Sequence, residues 1–351
     1  LSTFFLFLNL LHPAERRIRF EIPASILKIV PCLITAVSIS AVLFVPPFEG
    51  TALEWMRIPP LNWARYCSAL ILTSFLPGYF LLKTIDREES IKGTASIVTS
   101  YLLSLFITFL MGLFILTCGS SISSMGTPSL VLVTLTLTVL RYVTTLKRVK
   151  PATSTINLFE VGLLLSLFGA IIVGSVTTMM NTLPIKGGDM QRHHGTALQY
   201  LKHLPVYGGK LMAYGGLPLF HIYLAVLMTL SGIPSTLAVQ GLYILSFMPV
   251  LAFYSAIRAW FGGNEDKQIT TTALFLSTLL GFGGLYALHL KIKDLAYPLI
   301  PLLRKTTSIT YDIYMRVLYL PDIVAPIWNI GLPILFTLFY FLKKDTNNMT
   351  K

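Results

Sequence analysis

Apolar runs of roughly 16 to 25 residues recur along almost the whole of this 351-residue chain, each long enough to cross a hydrocarbon core about 30 Å thick. Segments of that kind leave a chain few choices. In lipid every backbone N–H and C=O must be satisfied internally, so the spans are read as helices and the fold as an all-α polytopic transmembrane bundle. Composition agrees. Only 12% of the residues are charged, against roughly 25% in soluble chains, and the mean hydropathy is +0.72. The formal net charge of +12 is therefore not a nucleic-acid footprint, because in a membrane protein excess Lys and Arg mark cytoplasmic loops. The three cysteines, Cys32, Cys67 and Cys118, are far apart and sit in or beside apolar runs. They give neither a disulfide framework nor a metal motif.

Eight long runs are expected to span: 26–46, 66–83, 94–118, 129–146, 157–179, 235–257, 269–287 and 323–342. The apolar stretch from Leu1 to Leu11 is too short to cross and lacks a signal peptide's basic start, so the chain is read as a fragment of a longer protein. Leu217–Ser231 is also short: 15 residues make about 22 Å of helix. With Arg16, Arg17 and Arg19 in the cytoplasm, the basic connections 84–93 and 147–156 fall inside, and the uncharged connection 119–128 falls outside. If 217–231 dips into or lies along the outer leaflet, Lys343 and Lys344 also stay inside, beside Arg258 and Lys267. Two long segments, 180–234 and 288–322, are then extracytoplasmic, and the first is expected to contain juxtamembrane helices. Residues 1–155 read as an N-terminal bundle and 156–351 as a second membrane segment carrying both loops.

Chemistry gathers in the first loop. Asp189 is the one acidic residue between Glu160 and Glu265; it follows Gly187 and Gly188 and opens a helical pattern. Asp189, His193 and Ala197 share a helix face. A carboxylate and an imidazole one turn apart can abstract a proton, bind a metal or orient a phosphate. An aspartate at a helix start can equally be a cap. Arg192, His194, Lys202, His203, Tyr207 and Lys210 add a cationic and aromatic surface suited to a phosphate head group or a sugar ring, and His221 brings the histidines between 193 and 221 to four of the chain's six. Those histidines lack a zinc-ligand spacing.

The run Gly188-Asp189-x3-His193-x3-Ala197, followed by residues 215–234 and a span ending at Arg258, resembles the first extracytoplasmic loop of the GT-C glycosyltransferases. Those polytopic enzymes use polyprenyl- or dolichyl-phosphate sugars, and their loop folds into helices at the membrane surface. The resemblance covers roughly 157–260. It implies that Asp189 is the catalytic carboxylate, acting as general base or, in some branches, assisting a divalent metal such as Mg or Mn, with His193 at the substrate. It also implies a lipid, glycan or protein acceptor, and an extracytoplasmic site in a prokaryotic plasma membrane. Two features depart from the family: Met190 stands where many members have a second acid, and few spans follow the loop.

In the second loop, Asp312 and Arg316 form an i, i+4 pair that serves a helix as readily as a site. Under the same resemblance Arg304, Lys305 or Arg316 would hold the donor phosphate, while Tyr311 and Asp312 approach the acceptor. The rival readings are a non-catalytic relative and a transporter or envelope subunit. The spans carry almost no mid-helix charge, which counts against a transporter.

Overall fold

The computed structural model describes residues 17–86, 90–145, 152–157, isolated positions between 162 and 172, and then 188–204, 206–207, 210–211, 218–261 and 330–349. Most of the span expected at 157–179, the whole of that expected at 269–287, the second loop 288–322, and its residues Arg304, Lys305, Tyr311, Asp312 and Arg316 lie outside the described residues. The chain divides into two units. One comprises Arg17–Ile156 and Gly174–Leu242; the other comprises Leu1–Arg16, Asn157–Val173 and Tyr243–Lys351.

In the first unit, β1 (Arg17–Ile22) pairs with β2 (Ala152–Asn157), a short two-stranded addition to an otherwise helical fold. The helices are α1 (Ala24–Phe44), α2 (Pro60–Ser74), α3 (Leu76–Ile85), α4 (Gly93–Thr117) and α5 (Ile122–Thr145). Among the described residues three stretches are long and apolar enough to cross a membrane: Pro60–Ile85, Gly93–Thr117 and Ile122–Thr144. Helix α1 is the expected first run, with a shorter apolar stretch, Lys28–Phe44. It stops where Val45 turns extended ahead of Pro46 and Pro47. The Tyr142 hydroxyl, late in α5, donates to the Lys28 carbonyl early in α1.

Helices α2 and α3 form one span with a break at Phe75, and its cause is local. Pro77 has no N–H for the Thr73 carbonyl four residues back. The Thr108 hydroxyl of α4 donates to that carbonyl at 2.9 Å, and the Ser104 hydroxyl accepts the Gly78 N–H at 2.7 Å. The break is thus stitched by a neighbouring helix. A Cβ on Gly78 would collide with the Ser100 carbonyl and Ser104, so glycine is what lets α3 and α4 approach. Helix α4 ends in a Schellman motif: Gly119, at φ +73°, donates to the Leu116 carbonyl at 3.1 Å, and Ser120 donates to the Ile115 carbonyl at 3.1 Å.

The loop segment supplies α6 (Gly188–Tyr200), the paired strands β3 (Val206–Tyr207) and β4 (Lys210–Leu211), α7 (Pro218–Ser231) and α8 (Ser235–Gln240). Helix α7 is the short run 217–231. It is enclosed: α2, α4 and α5 pack against it from the bundle, with α6 and α8 completing the enclosure. Nearly every residue from Phe220 to Ser231 is buried. Being apolar all round, it has no face that would prefer water, and a bundle interior accepts it.

The run 235–257, expected as one span, is three pieces: α8, a 3-10 stretch Gly241–Ser246, and α9 (Phe247–Phe261). At Gly241 a Cβ would strike the Tyr66 ring and hydroxyl, and Pro249 sits in the first turn of α9, where its missing N–H costs nothing. In the second unit α9 packs against α10 (Leu332–Met349), which overlaps the last expected span over 332–342 and runs on beyond it. Phe253 meets Phe336 at 5.0 Å between ring centroids, and the Trp260 indole N–H donates to the Phe339 carbonyl at 2.9 Å. Early residues meet early and late meet late, so the two helices run parallel, and Arg258 and Lys343 come to the same end.

Candidate functional site

Helix α6 is amphipathic. His193, Thr196, Ala197 and Tyr200 form its buried stripe, while Arg192, Leu198 and Gln199 are exposed. Asp189 is the second residue of α6 and shares the register of His193 and Ala197. There the helix macrodipole favours a negative charge. The far end of α6 is tied to the bundle: the Ser123 N–H at the start of α5 donates to the Leu201 carbonyl at 3.0 Å, giving one of that helix's orphan donors a partner.

The stripe meets α7 through rings. His193 Nδ1 and His221 Nε2 are 2.9 Å apart, so one ring donates and the other accepts with its lone pair. The two imidazoles stack at 5.0 Å, Tyr200 lies parallel to His221 at 6.2 Å, and Phe220 meets His193 edge-on at 5.3 Å. His193 is 4% exposed and His221 0%. Both stand inside the joint between α6 and α7, and neither presents a surface to a sugar or phosphate in this arrangement. His194, half-buried on the flank, makes a 2.9 Å hydrogen bond with the Ser235 hydroxyl at the start of α8. Burial holds its pKa below the ordinary imidazole value.

Arg192 and Lys202 are exposed, as a surface for anions requires. Tyr207 lies in β3, opposite Lys210 of β4. The structure therefore brings His193, His194 and His221 into one helix joint, with Arg192 on the outer side of α6 and Lys202 just beyond its end. Among the described residues no group of three or more His, Cys, Asp or Glu gathers as a metal site would need.

A second polar cluster, at the other end of α7, was not anticipated. Asn62, Arg65 and Tyr66 occupy one face of α2 and are all buried. Arg65 donates from Nε to the Leu230 carbonyl at 2.9 Å and from Nη1 to the Val45 carbonyl. These carbonyls belong to the ends of α7 and α1, where helix dipoles are negative, so the backbone supplies the counter-charge. Asn62 donates to the Pro46 carbonyl at 2.8 Å and the Gly232 carbonyl at 3.4 Å, and Tyr66 donates to the Ala238 carbonyl at 3.0 Å. Gly232, at φ +66°, ends α7 against the Arg65 side chain, where a Cβ would clash. Deeper in, the Ser74 and Tyr223 hydroxyls hydrogen-bond at 2.7 Å. The available signal was an arginine five residues beyond Pro60, one position before the apolar run counted from 66, which looks like an interfacial charge.

The arrangement is a helix carrying the candidate carboxylate in its first turn, keyed by a histidine pair to a buried short helix, with exposed cations alongside. No family model, curated protein or solved structure matches this chain.

Proposed function

We propose that the chain is a membrane glycosyltransferase of GT-C type, moving a sugar from a polyprenyl-phosphate donor to a lipid, glycan or protein acceptor on the extracytoplasmic face of a prokaryotic plasma membrane. The observation that supports this reading most is the fold of the first long loop. It forms a helix with Asp189 in its first turn, seated on a short helix that the membrane bundle encloses.

In this reading Asp189 takes the proton of the acceptor hydroxyl as that oxygen bonds to the anomeric carbon. The bond from that carbon to the donor phosphate breaks, and the lipid phosphate leaves with its electrons. Arg192 and Lys202, together with Arg304, Lys305 or Arg316 of the second loop, stabilise the charge growing on the phosphate. His193 is a positioning residue: through His221 it fixes the rotation of α6 about its axis, and so the direction in which the first turn is presented. The described donor set does not make a metal site, and no step is assigned to a metal.

The test is transfer from a panel of polyprenyl-phosphate sugars by membranes carrying the protein or its Asp189→Asn variant. Loss of a general base lowers the rate by roughly 10²- to 10⁴-fold. Unchanged transfer by the variant removes Asp189 from the mechanism. A second reading, a non-catalytic polytopic protein, draws on Met190 in the place of a second acid and on the burial of both histidines. It predicts no transfer from any donor by the unaltered chain.

A further inference from the structure

The seam between α9 and α10 opens into a groove of about 260 Å³, lined by Phe253, Ala256, Ile257, Trp260, Phe336 and Phe339 with no polar surface. That is just below the roughly 300–1,000 Å³ of ordinary ligand pockets. A slot this slim and this apolar suits a hydrocarbon chain and offers nothing to a group that needs a hydrogen bond. One end is different. Lys343 continues the Phe336–Phe339 stripe of α10, and its Nζ lies 5.3 Å from the centroid of the Trp260 ring. Arg258 stands exposed on α9 at the same end, its guanidinium hydrogen-bonded to the Tyr254 hydroxyl at 2.9 Å. Tryptophan, lysine and arginine together at the ends of apolar helices mark the depth of lipid head groups.

We propose that this seam binds one anionic glycerophospholipid of the surrounding bilayer, with an acyl chain in the groove and the phosphate at the Arg258 and Lys343 end. Charge complementarity chooses the occupant: a zwitterionic lipid offers the groove the same chain, but its head group brings an ammonium towards two cations. The site lies in the second unit and does not depend on the glycosyltransferase reading.

The experiment uses the whole chain, purified in detergent and stripped of lipid, with native mass spectrometry in the presence of phosphatidylglycerol or phosphatidylcholine of identical acyl chains. Phosphatidylglycerol should be retained at least about fivefold better, the effect of roughly one surface cation on an anionic lipid. The double variant Arg258→Gln, Lys343→Gln should bring retention down to the phosphatidylcholine level. Both positions sit at the rim of the seam, so the variant is expected to keep its fold, checked by an unchanged melting temperature. Ile257→Trp, which fills the groove, should lower retention of both lipids. Equal retention of the two lipids, or a preference that survives the double variant, overturns the proposal. A polyprenyl phosphate outcompeting phosphatidylglycerol, with loss in the same variants, overturns the choice of occupant.

Discussion

Arg65 brings a full charge into the wall of the bundle and donates, among the described residues, to two carbonyl oxygens, both at helix ends. Hydrogen bonds from charged groups contribute about 1.5–3 kcal/mol, so Arg65→Met should lower the unfolding free energy by about that amount in detergent. Gly232→Ala should cost about 1–2 kcal/mol for its left-handed backbone and more for the clash with Arg65. Because the two residues touch, the double variant should lose less than the sum. Strict additivity in thermal or denaturant titrations would mean that the two are not coupled. His194 sets a pH dependence whose sign follows from its lowered pKa. The folded state disfavours the protonated ring, so stability is full above the ordinary imidazole value of about 6.5 and is lost as pH falls through it towards the folded value. Melting temperatures at pH 7.5 and 5.5 should differ, and His194→Gln should narrow the difference; an unchanged difference would assign it to other groups.

At the scale of elements, the span broken at Phe75 depends on its neighbour. Thr108→Val removes the hydroxyl that serves the Thr73 carbonyl, and interhelical hydrogen bonds in membranes average about 0.6 kcal/mol and reach about 1.7. Gly78→Leu should do far more, because it drives α3 off α4. If Gly78→Leu melts like the parent protein, the close approach is not what holds these helices. Much of the framework was legible: runs 26–46 and 94–118 coincide within a few residues with α1 and α4, since a stretch that long and apolar has no other stable form in lipid. Pro77 inside an apolar run marks a kink in the sequence itself, but its repair by Thr108 and Ser104 is not legible there, because those partners lie on another helix. Run length also joined 235–257 into one span. It registers apolarity and misses a glycine chosen for contact with Tyr66. At the site, the stripe through His193 and Ala197 was legible from spacing, whereas its inward direction was not. A histidine on an amphipathic helix reads as surface until the opposing element, here His221 on an apolar helix, is known.

Across the whole molecule, the first unit has two distinguishable ends. Arg57, ahead of α2, lies at one end with Lys202, whose neighbour Leu201 accepts from Ser123 at the start of α5, and Lys92, ahead of α4, lies at the other; all three are exposed. In a background with the native cysteines replaced by serine, Arg57→Cys and Lys202→Cys should be labelled by an impermeant maleimide from one side of sealed membranes. Lys92→Cys should react only after permeabilisation. Labelling of Lys92→Cys together with Lys202→Cys would contradict the topology. The enclosure of α7 also dictates an order of assembly. Its surroundings include α2, α4 and α5, all made earlier by the ribosome, and α6 and α8 on either side of it in the chain. The early helices must therefore wait with a vacant slot until residue 231 has been translated. A chain stopped before residue 218 would have every early span inserted and still expose the inner walls of that slot, a substrate for the quality-control proteases of the membrane rather than a stable smaller protein.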